Sequence, residues 1–183
     1  WFVGQSRGWL PDVIGGLLWF GTDDAATSYL TPIYTNISEV PDCFAVGNGD
    51  MLTYSPTSAF WMCNRVANAC YKMYNVMAPF VRERIDAFEN GQMAKIPEID
   101  AAAMELYEKA LEMPRKQIRR NDKAAKTVDP YADVKKFLTE YSVNTAQAMF
   151  EDWVLLEQTL LIKYMDGNVK AQNPDGSFVT NGY

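Results

Sequence analysis

Hydrophobic and polar positions divide the chain into two unlike parts. Val13-Ile14-Gly15-Gly16-Leu17-Leu18-Trp19-Phe20 is an apolar run with no charge and no polar alternation, and it predicts a buried strand. Ser28-Tyr29-Leu30-Thr31-Pro32-Ile33-Tyr34 predicts a second strand, with Pro32 marking an edge or a bulge. The polar connection Gly21 to Thr27 is short, so the two strands are expected to pair as a hairpin. Pro41 and Gly47-Asn48-Gly49-Asp50 mark loops. A hairpin alone is barely stable in water. The Val13–Phe20 strand therefore needs a further sheet partner, and the pattern offers no obvious segment to supply it.

After Pro56 the period changes. Thr57 or Ser58 is placed to cap a helix through its hydroxyl. Phe60, Cys63, Val66, Ala67, Cys70, Met73 and Tyr74 then recur at helical spacing. Pro79 is expected to kink or restart this helix, Asn90-Gly91 to stop it, and Pro97 to open a second one through Met104, Leu106 and Leu111. Pro114 breaks or bends that helix. Asp129-Pro130 opens another, with Val134, Phe137 and Leu138 on its apolar side, and Ser142 is a candidate recap. Met149, Trp153, Leu156, Leu160 and Tyr164 form a long apolar face that ends at Asp166-Gly167-Asn168. The tail, with Asn173-Pro174-Asp175-Gly176 as a turn, reads as loop. The fold class expected is α+β: a β-rich portion over residues 1–55, three or four helical segments over 56–168, and a loop tail over 169–183.

Composition narrows the chemistry. The 183 residues are 48% hydrophobic and 22% charged, which suits a packed globular domain rather than a disordered one. A net charge of -6 argues against nucleic acid as the main partner. No apolar run reaches the roughly 18 residues of a membrane span, so no membrane partner is expected, and Trp1-Phe2-Val3-Gly4 does not open a signal peptide. With no histidine in the chain, Ser-His-Asp and Cys-His catalysis and the commonest metal ligand are excluded from these residues. Neither cofactor nor metal is expected. Cys43, Cys63 and Cys70 include no CxxC pair and none sits beside a base, so all three read as small buried apolar groups. Cys63 and Cys70 lie seven apart on one helix, about 10 Å along its axis, too far to bridge.

Several positions are candidates for binding. Asp23 and Asp24 stand in the turn where the first strand ends. They either brace that turn through backbone amides or present a carboxylate to a cationic substrate group. Thr27 and Ser28 offer hydroxyls beside them. Trp61, Asn64, Asn68 and Tyr71 share one helix face, and two asparagines there suggest buried amide bonding, either within a network that locks helix to sheet or toward a substrate. Arg115, Lys116, Arg119, Arg120, Lys123 and Lys126 read as a solvated helix face. The sequon Asn36-Ile37-Ser38 carries no weight, since so short a pattern arises often by chance.

Leu18-Trp19-Phe20-Gly21-Thr22-Asp23-Asp24-Ala25-Ala26-Thr27-Ser28, followed by Thr31-Pro32-Ile33-Tyr34, resembles the dipeptidases of the lactobacillal dipeptidase and secernin group, which are N-terminal-nucleophile hydrolases. Phe60-Trp61 with Asn64, Asn68, Tyr71 and Tyr74, then Trp153 to Leu161, and Lys163 to Asn168, look similar to the same group, so the resemblance spans about Gly15 to Asn168. It implies an αββα sandwich and an N-terminal cysteine that attacks the peptide carbonyl, with its own α-amino group as base. That scheme needs no histidine, because an α-amino group titrates near about 7.7–8.0. Residue 1 is Trp here and no cysteine lies near it. The chain is therefore expected to be an interior segment of a larger hydrolase domain, with the remainder of the parent chain as its partner and a small peptide as substrate. Asp23, Asp24, Ser28 and Asn64 are the substrate-binding candidates, and no catalytic residue is expected among the 183. The rival reading is a binding or scaffold domain that keeps the fold without catalysis.

Overall fold

The computed structural model describes residues 1–112 and 129–179. Pro114, the basic run Arg115 to Lys126, and the end at Asn181-Gly182-Tyr183 lie outside the described residues. The class is α+β: a three-stranded antiparallel sheet backed by helices. The strands are β1 (Phe2–Ser6), β2 (Gly16–Phe20) and β3 (Thr31–Tyr34), in that spatial order. The helices are a single turn α1 (Asp12–Gly15), then α2 (Ala59–Cys70), α3 (Tyr74–Glu112) and α4 (Ala132–Lys163). No helix among the described residues is long and apolar enough to cross a membrane.

The expected hairpin is present. Leu17 faces Tyr34, Leu18 faces Ile33, Trp19 faces Pro32 and Phe20 faces Thr31. Both strands are shorter than expected. Val13 and Ile14 belong to α1, where the Ile14 and Gly15 amides donate to the Pro11 carbonyl, and the strand starts only at Gly16. Ser28 to Leu30 precede β3, because Ser28 is tied down into the Asp24 turn. The missing sheet partner turns out to be β1, which runs antiparallel to β2 from Phe2 opposite Phe20 to Ser6 opposite Gly16. Its residues are all exposed, so it lacks the burial alternation that marks a strand in sequence. Leu17, Trp19, Pro32 and Tyr34 are buried on one face of the hairpin, whereas Leu18 and Ile33 on the other are only half-buried.

The helical half departs from its punctuation. One continuous helix, α3, carries both Pro79 and Pro97 and passes through Asn90-Gly91 without stopping. Glycine in a helix costs only about 1 kcal/mol relative to alanine. Met77, Val81, Ile85, Gln92, Ile96 and Ala103 form an inward stripe that continues across Gly91. Buried Gln92 accepts a hydrogen bond from the Tyr141 hydroxyl of α4 at 2.9 Å, so packing on α4 holds the helix through its weak points. The real break, between α2 and α3 at Tyr71–Met73, contains neither proline nor glycine. The α2 cap also differs: Ser58 occupies the N-cap position but makes no side-chain cap bond, and the Thr57 hydroxyl donates to Asn48 Oδ1 instead. Ser142 is interior to α4, where its hydroxyl accepts from the Tyr34 amide at 3.2 Å and stitches β3 to the helix. The stop after α4 is as expected: Asp166 and Gly167 take φ of 57° and 78°. In the tail, Asn173 to Ser177 form the expected turn, closed by a bridge between Gln172 and Phe178.

Two apolar clusters hold these elements together. The first joins α2, the start of α3 and the end of α4 around Trp153, with Tyr29 and Cys43. The second joins β2, Tyr34, the second half of α3 and the start of α4. The second is crossed by a polar network. Arg7 Nη1 donates to Asp100 Oδ2 at 2.6 Å, and its Nη2 and Nε donate to the Ile14 and Gly15 carbonyls at 2.8 and 3.2 Å. The Tyr34 hydroxyl donates to Asp100 Oδ1 at 2.7 Å.

Candidate functional site

The site begins where β2 ends. Gly21 lies so close to the next turn that a Cβ there would stand 2.7 Å from the Tyr29 carbonyl oxygen, so the strand exit accepts only glycine. Two residues on, Asp23 adopts φ 64°, the left-handed region that Asp and Asn tolerate better than other side-chain-bearing residues. This conformation accompanies a contact across the fold: Asn64 Nδ2, from α2, donates to Asp23 Oδ1 at 3.1 Å. Asp23 Oδ2 has no partner among the described residues.

The neighbouring carboxylate is used differently. Asp24 Oδ1 accepts from the Ala26 amide at 3.1 Å and Oδ2 from the Thr27 hydroxyl at 2.8 Å. Ser28 is buried, donates to the Asp24 carbonyl at 2.6 Å and accepts from Trp1 Nε1 at 3.2 Å. Asp24, Thr27 and Ser28 thus brace the turn, while Asp23 and Asn64 are brought together at its edge. The asparagine stripe is not buried as expected. Asn64 is half-buried, and Asn68 is exposed, donating back to the Asn64 carbonyl and Oδ1 at 2.9 and 3.1 Å. Tyr71 is exposed beyond them, and the charges of Asp24 and, less strongly, Asp23 hold its phenol above the ordinary range.

Beside the pair lies an open groove of about 550 Å³ whose lining includes Phe20, Thr22, Phe44, Asn48, Asp50 and Phe60. Phe20 and Phe44 meet edge to face, with ring centres 5.1 Å apart. The far wall is the 45–58 loop, shaped by Asn48. Its Nδ2 donates to the Asp42 and Thr57 carbonyls at 2.9 and 3.1 Å, and its Oδ1 accepts from Ser55 and Thr57 at 2.5 and 2.9 Å. Gly49, at φ 78°, has Ser55, Thr53 and Trp61 too close for any side chain. Trp61 Nε1 donates to the Asp50 and Thr53 carbonyls at 3.0 and 2.9 Å, fastening the loop to α2. The Asp50 carboxyl is held below its ordinary range, chiefly by the Leu52 amide. Sequence reading marked the Gly47–Asp50 run as a loop but missed Phe44, Asn48 and Asp50 as wall residues. The alternation of Gly with Asn and Asp was the available signal.

All three cysteines are free and buried. Burial pushes Cys43 and Cys70 up to about 11 and Cys63 up to about 12. A thiol held above its ordinary value stays protonated in the fold, so it is a poor nucleophile at neutral pH. Native protein at pH 8 is expected to react with less than one equivalent of a thiol-specific disulfide reagent, rising to three in denaturant. The sign also fixes an alkaline effect. These thiols favour the folded state below about pH 9, and that contribution is lost as pH rises through their raised values. Rapid labelling of any cysteine in the native state would contradict this environment.

An antiparallel sheet backed by helices thus carries a carboxylate–amide pair and an aromatic groove at the exit of β2. Residues 1–86 match the model of peptidase family C69. The resemblance to the dipeptidase and secernin group is borne out over this stretch, which takes in the Leu18–Ser28 string, the 45–58 loop and α2. The similar stretches at Trp153 to Leu161 and Lys163 to Asn168 lie beyond the matched residues. No curated protein matches the chain.

Proposed function

We propose that this chain forms the substrate-recognising part of a dipeptidase whose nucleophile is an N-terminal cysteine not among these 183 residues. The single observation that carries the recognition role is Asp23, a left-handed, half-buried carboxylate with one oxygen positioned by Asn64 and the other without a partner among the described residues. A dipeptidase must distinguish a short peptide from a long one, so it has to bind a free terminus. A carboxylate fixed at a strand exit binds an α-ammonium by a charge-assisted hydrogen bond, about twice as strong as a neutral one. The family match over residues 1–86 supports the peptidase class. The absence of histidine and the raised thiols support a nucleophile from elsewhere in the parent protein. The remainder of the parent chain is then the partner of this one.

Asp23→Asn is the discriminating variant. Asn tolerates the left-handed backbone and still offers an oxygen to Asn64, so the charge goes and the geometry stays. In the complete enzyme, kcat/KM for dipeptides is expected to fall by about ten- to a hundredfold, the worth of a charge-assisted bond of roughly 1.5–3 kcal/mol, with the unfolding midpoint little changed. Asp24→Asn is expected to lower the midpoint and leave kcat/KM of the folded fraction near wild type. The 183-residue chain alone is expected to hydrolyse no dipeptide. Wild-type kinetics in Asp23→Asn would remove the recognition role.

A further inference from the structure

The groove and the Asp23–Asn64 pair are adjacent by construction of α2. Phe60 forms part of the groove and Asn64 follows four residues later, so the two lie on one helix face about one 5.4 Å turn apart. Thr22 also lines the groove, and Asp23 is the next residue. Asp23 thus follows a groove residue directly in the chain, and the groove itself is walled by three phenylalanines, Phe20, Phe44 and Phe60. Among the described residues the only charged group in the groove wall is Asp50, an anion, and no lysine or arginine lines it. The volume, about 550 Å³, falls in the range of small-ligand sites.

From this juxtaposition we infer that the groove is the subsite for the side chain of the substrate's N-terminal residue, and that it selects large apolar side chains, aromatic ones included. The inference rests on the dipeptidase reading and deepens it. In an N-terminal residue the ammonium and the side chain leave the same Cα. A ligand whose ammonium meets Asp23 therefore has its side chain one short reach away, which is the separation between Asn64 and Phe60. Aromatic walls favour an aromatic guest, since edge-to-face contacts add about 0.5–1.5 kcal/mol beyond the area buried. The acidic surroundings reject an anionic side chain, because Asp50 remains ionised through its backbone bonds.

Binding of amino alcohols to the complete enzyme tests the subsite without relying on turnover, because L-phenylalaninol and L-alaninol contain no amide bond. L-phenylalaninol is expected to bind about tenfold or more tighter than L-alaninol, from the apolar area buried. N-acetyl-L-phenylalaninol, which has no cation, is expected to bind at least about tenfold more weakly than L-phenylalaninol, the charge-assisted bond being lost. Phe44→Ala should bring the phenylalaninol-to-alaninol ratio toward unity. Should that variant not fold, nuclear Overhauser contacts between the bound phenylalaninol ring and Phe20 or Phe60 of the wild-type protein decide the same point. Equal affinity for the two alcohols, or binding without contact to these rings, overturns the inference. Hydrolysis is read separately, with Phe-Ala against Ala-Ala. Cleavage of both with indifferent alcohol binding sinks the subsite and leaves the dipeptidase reading standing. Tight, ring-contacting phenylalaninol binding without cleavage of any dipeptide sinks that reading and leaves the subsite.

Discussion

Arg7→Met is expected to destabilise the fold by about 3–5 kcal/mol, the cost of removing one partner of a buried ion pair. Arg7 is 7% exposed and holds two elements at once: the α1 turn through the Ile14 and Gly15 carbonyls, and α3 through Asp100. Its guanidinium also lies 5.4 Å from the centre of the Tyr34 ring. Without it, Asp100 keeps, among the described residues, only the Tyr34 hydroxyl and stands as an uncompensated charge against an apolar cluster. Methionine preserves much of the side-chain volume, so the loss reports polar bonding rather than a void. Adding Asp100→Asn is expected to recover part of it, because the stranded charge disappears while an oxygen remains for Tyr34. Urea unfolding of the three proteins measures both steps. A loss below about 1 kcal/mol for Arg7→Met would show that the pair contributes no more than a surface salt bridge.

The second large effect is expected at Trp153, whose truncation to alanine should cost about 3–5 kcal/mol. Trp153 is fully buried in the first apolar cluster and packs edge to face on Tyr29, with ring centres 4.9 Å apart. Tyr29 follows Ser28 of the Asp24 turn, so the same contact anchors the chain between the candidate site and β3. Trp153→Phe is expected to cost less. It loses ring area, but it also removes a buried Nε1–H that has no partner among the described residues, and such a group costs about 1–3 kcal/mol when left unpaired. Denaturant midpoints of the two variants check the order. If Phe proves as damaging as Ala, the indole nitrogen is engaged and the packing account of this residue is wrong.

These two residues also mark the boundary between what was legible in the chain and what was not. Trp153 was visible as a member of the Met149–Tyr164 stripe, because a 3.6-residue period carries helix and core together. Arg7 was invisible. A lone arginine in an exposed, patternless segment carries no signal of burial, and its partner Asp100 is 93 positions away. At the site, Asp23, Asp24, Ser28 and Asn64 were all candidates, but sequence did not separate the roles of the two aspartates. That separation depends on Asn64, 41 positions from Asp23, reaching one carboxylate while Ala26 and Thr27 occupy the other.

By itself the sequence determined the α+β class, the pairing of β2 with β3, the apolar face of α4, the left-handed stop at Asp166-Gly167 and the likeness to a peptidase family. Each rests on local periodicity, on a turn residue or on a contiguous string, and each needs only neighbours along the chain. Tertiary structure decided the rest: β1 as the third strand, α3 running through Gly91 and Pro97, Ser142 as a stitch rather than a cap, and the groove beside Asp23. In those places a local preference of about 1 kcal/mol, or about 3 for a proline inside a helix, competes with packing and hydrogen bonds made by residues distant in sequence, and the sum of those contacts is larger.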